Sequence, residues 1–241
     1  MLHITELNKS FGPLRALKNV SLKANAGEVL ALIGPNGCGK TTLIKSILGM
    51  VVPDSGDILF KNNSIKGSWK YRSQIGYMPQ IGTYPENMSI GQVLDMIQDI
   101  RSKESHKPLN LDLYESYKLK ELLHKRMGTL SGGTRQKVSA HLAFLFDPDV
   151  LILDEPTAGL DPLAASILKE KIRKDPSKLI LITSHILSDL DDVATHIVYM
   201  QEAEIHFKKT IQQIKEETGQ SKLSEAVAQI MNEQSHTAVN I

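Results

Sequence analysis

Gly34-Pro-Asn-Gly-Cys-Gly-Lys-Thr-Thr42 is the stretch of this chain best equipped for chemistry. It fits Gly, four residues, Gly, Lys, Ser/Thr, the loop that cradles phosphate groups. Gly34, Gly37 and Gly39 allow a tight turn whose N–H groups point at one anion, and Pro35, Asn36 and Cys38 complete the loop. A helix starting at the lysine adds free backbone donors and the positive end of its dipole. Lys40 is placed to reach β- and γ-phosphates, the Thr41 hydroxyl to sit on Mg²⁺, and Thr42 closes the binding run. Such a loop needs a strand before it and a helix after it. The apolar run Val29-Leu-Ala-Leu-Ile33 and the helix-like Leu43-Ile-Lys-Ser-Ile-Leu48 supply both.

Two acids, Asp154 and Glu155, follow a second apolar run, Val150-Leu-Ile-Leu153. An acid ending such a strand emerges at the carboxyl edge of the sheet, where open α/β sheets bind ligands. Ser131, Gly132 and Gly133 open another helix and make a second backbone anion site. Gln80 follows a short strand, His185 follows Leu179 to Thr183, and Phe11 lies in Ser10-Phe-Gly12.

In the order and spacing of Gly34 to Thr42, Leu130-Ser-Gly-Gly-Thr-Arg-Gln136, Val150 to Pro156, Ala158-Gly-Leu-Asp161 and Thr183-Ser-His185, the chain resembles the ATP-binding subunit of ABC transporters. The resemblance runs from about residue 2 to about residue 209. It implies an α/β fold: a P-loop NTPase core with a mostly parallel sheet, an antiparallel β subdomain and an inserted α-helical subdomain. It implies ATP and Mg²⁺ as cofactors, with Thr41, Gln80 and Asp154 on the metal side. Glu155 is then the residue that polarises the attacking water, His185 and Gln80 contact the γ-phosphate or that water, and Phe11 stacks on adenine. Ser131 to Gly133 close over nucleotide held by a second copy, and Asp161 crosses the same interface. The implied partners are that second copy and a separate transmembrane permease, whose cytoplasmic helix meets about Ile81 to Arg101. This places the chain in the cytoplasm, peripheral on the inner face of the membrane. Thr134 departs from the family's usual glutamine. Thr134-Arg-Gln-Lys137 resembles the subfamily serving exporters and multidrug, sodium or cofactor-maturation systems, and the chain is also similar to the subunit that helps supply sulfur or copper for nitrous-oxide reductase assembly. A non-transport ABC ATPase signalling to a membrane or cell-wall partner is the alternative.

The 241 residues suffice for a good core, and a net charge of +1 gives no nucleic-acid footprint. The one cysteine, Cys38, excludes an intrachain disulfide and a cysteine-cluster metal site. It is expected to be a small space-filler that also reacts with thiol reagents, with ATP shielding it. No apolar run approaches the roughly 18 residues that cross a bilayer. The N-terminal residues carry an acid and lack a long apolar core, so no signal peptide is expected.

The pattern places strands at Leu2 to Leu7, Leu17 to Leu22, Val29 to Ile33, Asp57 to Phe60 and Ile75 to Met78. Helical periodicity follows from Asn87 to Arg101, with Ser89 and Gln92 as a capping box. Leu111 to Leu123 and Gly133 to Phe146 also read as helices, so residues 83 to 145 form a mainly helical insertion. Strands at Leu151 to Leu153, Leu179 to Thr183 and His196 to Met200 alternate with helices at Pro162 to Lys174 and Ile186 to Ala194. Such alternation implies a mostly parallel sheet. Residues 1–209 therefore form the ATP-binding unit and 210–241 a C-terminal helical tail. Leu223, Ala226, Val227, Ile230 and Met231 share one face of the tail, expected to pack on its own domain.

Overall fold

The apolar run Val29–Ile33 is a strand buried on both faces. Val29, Ala31 and Ile33 join one core cluster, and Leu30 and Leu32 join the other. Successive side chains of a strand point to opposite faces, so a strand covered on both sides reads as unbroken apolar sequence. The computed structural model describes residues 1–101 and 107–238.

In chain order the elements are β1 (Leu2–Phe11), β2 (Leu14–Ala24), β3 (Val29–Ile33), α1 (Lys40–Ile47), β4 (Ser55–Phe60), β5 (Asn63–Ser64) and β6 (Ile75–Met78). Helices α2 (Ile90–Arg101), α3 (Asp112–Ser116) and α4 (Gly132–Phe144) come next. Then follow β7 (Val150–Asp154), α5 (Pro162–Arg173), β8 (Leu179–Thr183), α6 (Leu187–Asp191), β9 (His196–Gln201), β10 (Glu204–Thr210), α7 (Ile211–Thr218) and α8 (Leu223–Ala238). The main sheet runs β10-β9-β3-β8-β7-β6, parallel except for the antiparallel edge strand β10. A second, antiparallel sheet runs β2-β1-β4-β5. The fold is thus the mostly parallel core, antiparallel β unit and helical insertion that the sequence implies.

Local chemistry sets the helix starts. Ser89 and Gln92 exchange bonds, Ser89 N–H to Gln92 Oε1 at 2.9 Å and Gln92 N–H to Ser89 Oγ at 3.2 Å, so the expected capping box opens α2. Asp161 caps α5 through the Ala164 N–H at 2.8 Å, with Pro162 at the first helical position.

Some expectations differ from the structure. Leu111 to Leu123 is not one helix: α3 is short, Lys118 turns left-handed at φ 51, and a 3₁₀ turn over Leu119–Leu122 follows. That turn lets Leu113, Tyr117 and Leu119 all reach the core, which a continuous helix axis would not require. The helix expected over Ile186 to Ala194 is limited to α6. Strand β1 continues to Phe11, beyond the expected Leu7. Strand β10 escapes the pattern because it is an edge strand with mostly half-buried residues and no clean alternation. In the C-terminal segment, Leu223, Ala226, Val227 and Ile230 are buried in the same cluster as β3 and β8, and Asp191 Oδ2 accepts the Leu223 N–H at 3.2 Å.

Candidate active site

The carboxyl ends of β3, β7 and β8 lie side by side, with Asp154 paired to Thr183 in the parallel register. They open onto a pocket of about 290 Å³. Its walls include Asn36, Gly37, Gly39, Lys40, Thr41 and Thr42 from the glycine-rich loop and the start of α1. Gln80 enters just after β6, Asp154 and Glu155 from the end of β7, and His185 just after β8. Phe11 comes from the end of β1, 48% exposed, with the Lys9 ammonium 5.3 Å from its ring centre. An aromatic face at the mouth of a phosphate pocket suits a planar base.

Gly34, Pro35 and Cys38, expected among the binding residues, do not line this pocket: Cys38 is buried, Gly34 half-buried and Pro35 exposed. At Gly34, φ is 148 and an added Cβ would lie 2.0 Å from the Met200 carbonyl oxygen, so only glycine lets the loop leave β3 against β9. Lys40 Nζ donates to the carbonyls of Gly34 at 2.6 Å and Pro35 at 3.0 Å, which holds the ammonium over the loop.

Cys38 is 4% exposed and packs in the core cluster behind the loop. That fits the space-filling role and corrects the expected reactivity, because a buried thiol must wait for an opening of the loop. Maleimide should therefore modify the folded protein on the order of tenfold more slowly than the urea-unfolded chain, even without nucleotide. Equal rates would show that the loop does not bury this side chain.

The two acids are held differently. Asp154 Oδ1 accepts the Thr183 hydroxyl at 2.5 Å. Glu155 adopts φ 49, a left-handed conformation that costs a non-glycine residue roughly 1–3 kcal/mol. Its N–H is shared by Thr183 Oγ1 at 3.0 Å and Thr183 O at 3.2 Å, and its carbonyl accepts Gln136 Nε2 at 3.3 Å. The turn directs the Glu155 side chain to His185, Oε1 to Nε2 2.7 Å. The adjacent acids thus diverge, one onto β8 and one onto the histidine.

Ser131, Gly132 and Gly133 lie outside this pocket. Ser131 caps α4, its Oγ accepting the Thr134 N–H at 3.2 Å, and Ser131 and Gly132 are exposed. Gly133 has a packing task, since a Cβ there would lie 2.6 Å from Gly159 O. Asp161, expected to reach across an interface, is engaged within its own chain. Lys137 Nζ, 2.7 Å away, and the Ala164 N–H hold its carboxyl below the usual range.

Leu14, Ala16, Thr183 and Ser184 also line the pocket and carried no assigned role in the sequence. Leu14 sits opposite Phe11 in the β1–β2 hairpin, so this pairing could have been read from the turn at Gly12. Thr183 stands in the Thr183-Ser-His185 stretch, but nothing local pointed to its contact with Asp154.

Residues 17–158, more than half of the chain, match the model of the ABC transporter family. The chain belongs to the ABC transporter family. This ABC protein is 33% identical over 222 residues to YxlF of Bacillus subtilis, an uncharacterised ABC transporter ATP-binding protein, covering 90% of this chain and 73% of that one. It is 31% identical over 201 residues to the Nod factor export ATP-binding protein I of Burkholderia orbicola, covering 81% of this chain but 66%, just under two thirds, of the relative. Among solved structures, an ATP-binding subunit of an ABC transporter superposes with a TM-score of 0.86 at 28% identity, over 96% of this chain and 99% of that one. A dimeric bacterial ABC cassette, MJ0796, superposes at 0.76 and 21% identity, over 87% and 98%, which is a likeness of fold. The chain is an ABC transporter ATP-binding subunit and an ATPase of that family.

Proposed function

We propose that this ATPase works as a pair of copies on a separate membrane subunit and powers export. One observation carries the pairing: the phosphate loop and both acids share one pocket, while Ser131 and Gly132 open α4 as exposed backbone donors outside it. Each chain then holds two unlike halves of a site, and a second copy supplies what the first lacks. The dimeric cassette of the same fold and the Nod factor exporter support this reading. The sulfur or copper supply to nitrous-oxide reductase has no such support.

Within the composite site the Lys40 ammonium neutralises phosphate charge, Phe11 stacks on adenine, and Ser131, Gly132 and Gly133 of the partner copy close over the γ-phosphate. Glu155 polarises the attacking water, and His185 steadies that carboxylate beside the γ-phosphate. Hydrolysis of a phosphoanhydride asks mainly for such positioning and charge neutralisation. The Thr41 hydroxyl, the Gln80 amide oxygen and the Asp154 carboxylate are hard oxygen donors gathered in one pocket. This set fits Mg²⁺, which is usually held by one or two carboxylates and substrate phosphates. When bound there, Mg²⁺ supplies neutralisation of charge on the phosphate oxygens.

Residues 1–209 act as the ATP-binding unit, with the insertion at 83–145, and 210–241 as the tail. Ile81, directly after the pocket residue Gln80, is 73% exposed and offers the permease an apolar contact next to the nucleotide, and Ile100 of α2 is a second exposed apolar residue, at 63%. Among the described residues no helix is long and apolar enough to cross a membrane. In this reading the permease crosses the membrane and this chain sits at its inner face.

The ATPase rate per chain should rise with chain concentration until dimers saturate. A verified monomer that hydrolyses as fast as the dimer overturns the pairing. Detergent co-purification should bring down a membrane protein. A co-purified cell-wall enzyme without a transport channel would favour signalling over export.

A further inference from the structure

We propose that Thr183 is a positioning residue whose one hydroxyl fixes both acids of the site. It rests on the roles proposed above for Asp154 and Glu155. The register of β7 and β8 sets Thr183 directly beside Asp154, at the carboxyl edge of the sheet. The side chain is 4% exposed, so its hydroxyl has little water to turn to. Its proton goes to Asp154 Oδ1 at 2.5 Å, and a lone pair accepts the Glu155 N–H at 3.0 Å. One donor and two acceptor positions are what a hydroxyl has, and both directions are used.

The consequence is geometric. Asp154 is the carboxylate assigned here to the cation, and the Thr183 bond occupies its Oδ1, so that among the described residues Oδ2 carries no hydrogen bond. Outer contacts of this kind orient a ligand and tune its affinity. The bond to the Glu155 N–H acts at the left-handed turn that sends this side chain toward His185, and Gln136 holds the carbonyl side of the same turn. Two side chains from different elements, β8 and α4, therefore grip the backbone of Glu155 on opposite sides. The N–H also reaches Thr183 O at 3.2 Å, so the hydroxyl sharpens an existing contact there, whereas at Asp154 it is the hydrogen bond that orients the carboxylate.

The test compares wild type with Thr183→Val and Thr183→Ser. Valine keeps the branched strand-favouring shape without the hydroxyl, and serine keeps the hydroxyl without the methyl. Three quantities are read: turnover, affinity for a fluorescent ATP analogue with and without Mg²⁺, and melting temperature. In Thr183→Val, turnover should fall on the order of 10- to 100-fold. Its metal-free analogue affinity should stay within about twofold of wild type, because the ground-state contacts of the phosphate loop are untouched. The gain in affinity on adding Mg²⁺ should shrink by about tenfold. Thr183→Ser should recover most of both. Thr183→Val with wild-type turnover and Mg²⁺ response overturns the inference, as does Thr183→Ser as impaired as Thr183→Val. A lowered melting temperature with affinity lost equally in both conditions means a merely structural threonine, and also overturns it. Should the valine variant not fold, Thr183→Ala is read in the same way, and failure of both to fold is the structural result. Glu155→Gln, run beside these, separates the two levels: wild-type turnover there defeats the site assignment, whereas its loss with an indifferent Thr183→Val defeats the inference alone.

Discussion

Glu155→Gln should lower ATP turnover by roughly 10²- to 10⁴-fold, the usual worth of general-base help, while ATP binding stays near wild type. The change is nearly isosteric. The amide can keep a hydrogen bond to His185 Nε2, now 2.7 Å from Glu155 Oε1, and the backbone bonds to Thr183 and Gln136 do not involve the side chain. What disappears is the basic oxygen and its charge. Losing the charge also removes repulsion between the carboxylate and the γ-phosphate. ATP should then hold two copies together instead of being consumed, so size-exclusion chromatography with ATP and Mg²⁺ should show a dimer. A variant that hydrolyses at wild-type rate excludes Glu155 as the residue that activates water, and would shift attention to His185.

The parts of this site that the sequence made legible are those set by neighbours along the chain. The glycines of residues 34 to 39, the lysine after them and the strand before them act within one turn, so their chemistry survives without a fold. Asp154 and Glu155 are readable for the same reason, as acids ending an apolar strand. Their divergence is not readable. It depends on a left-handed φ at Glu155 and on a threonine 29 residues beyond Asp154, brought alongside by a parallel crossover whose register no local pattern encodes. Cys38 shows the opposite failure. A thiol in an anion-binding loop looks reactive in sequence, yet the loop turns that side chain into the core. Lys118 fails for a third reason. The chain there has helical composition on both sides, and one left-handed residue, chosen by the core contacts of Tyr117 and Leu119, breaks it. The edge strand β10 was illegible because half-buried positions leave no two-residue period.

Lys40→Ala and Ser131→Arg should each nearly abolish hydrolysis alone and recover activity when mixed. Lys40→Ala removes the ammonium that now rests on the Gly34 and Pro35 carbonyls, and with it the cation facing the phosphates. Ser131→Arg removes the cap of α4 and fills the exposed approach to its backbone donors with a long side chain. Neither change touches the residues of the other half. In a two-fold pair, each site takes its phosphate loop from one copy and its α4 start from the other. A mixed pair therefore has one site with both defects and one site with none. Random exchange gives about half mixed pairs, each with one good site of two, so activity should return to about a quarter of wild type. If each site depends partly on the other, the recovery falls below that level but stays above either parent. Equal activity of the mixture and its parents, with mixed pairs verified by tag pull-down, would place the whole site within one chain. The exposed Ser131 and Gly132 would then need another occupant.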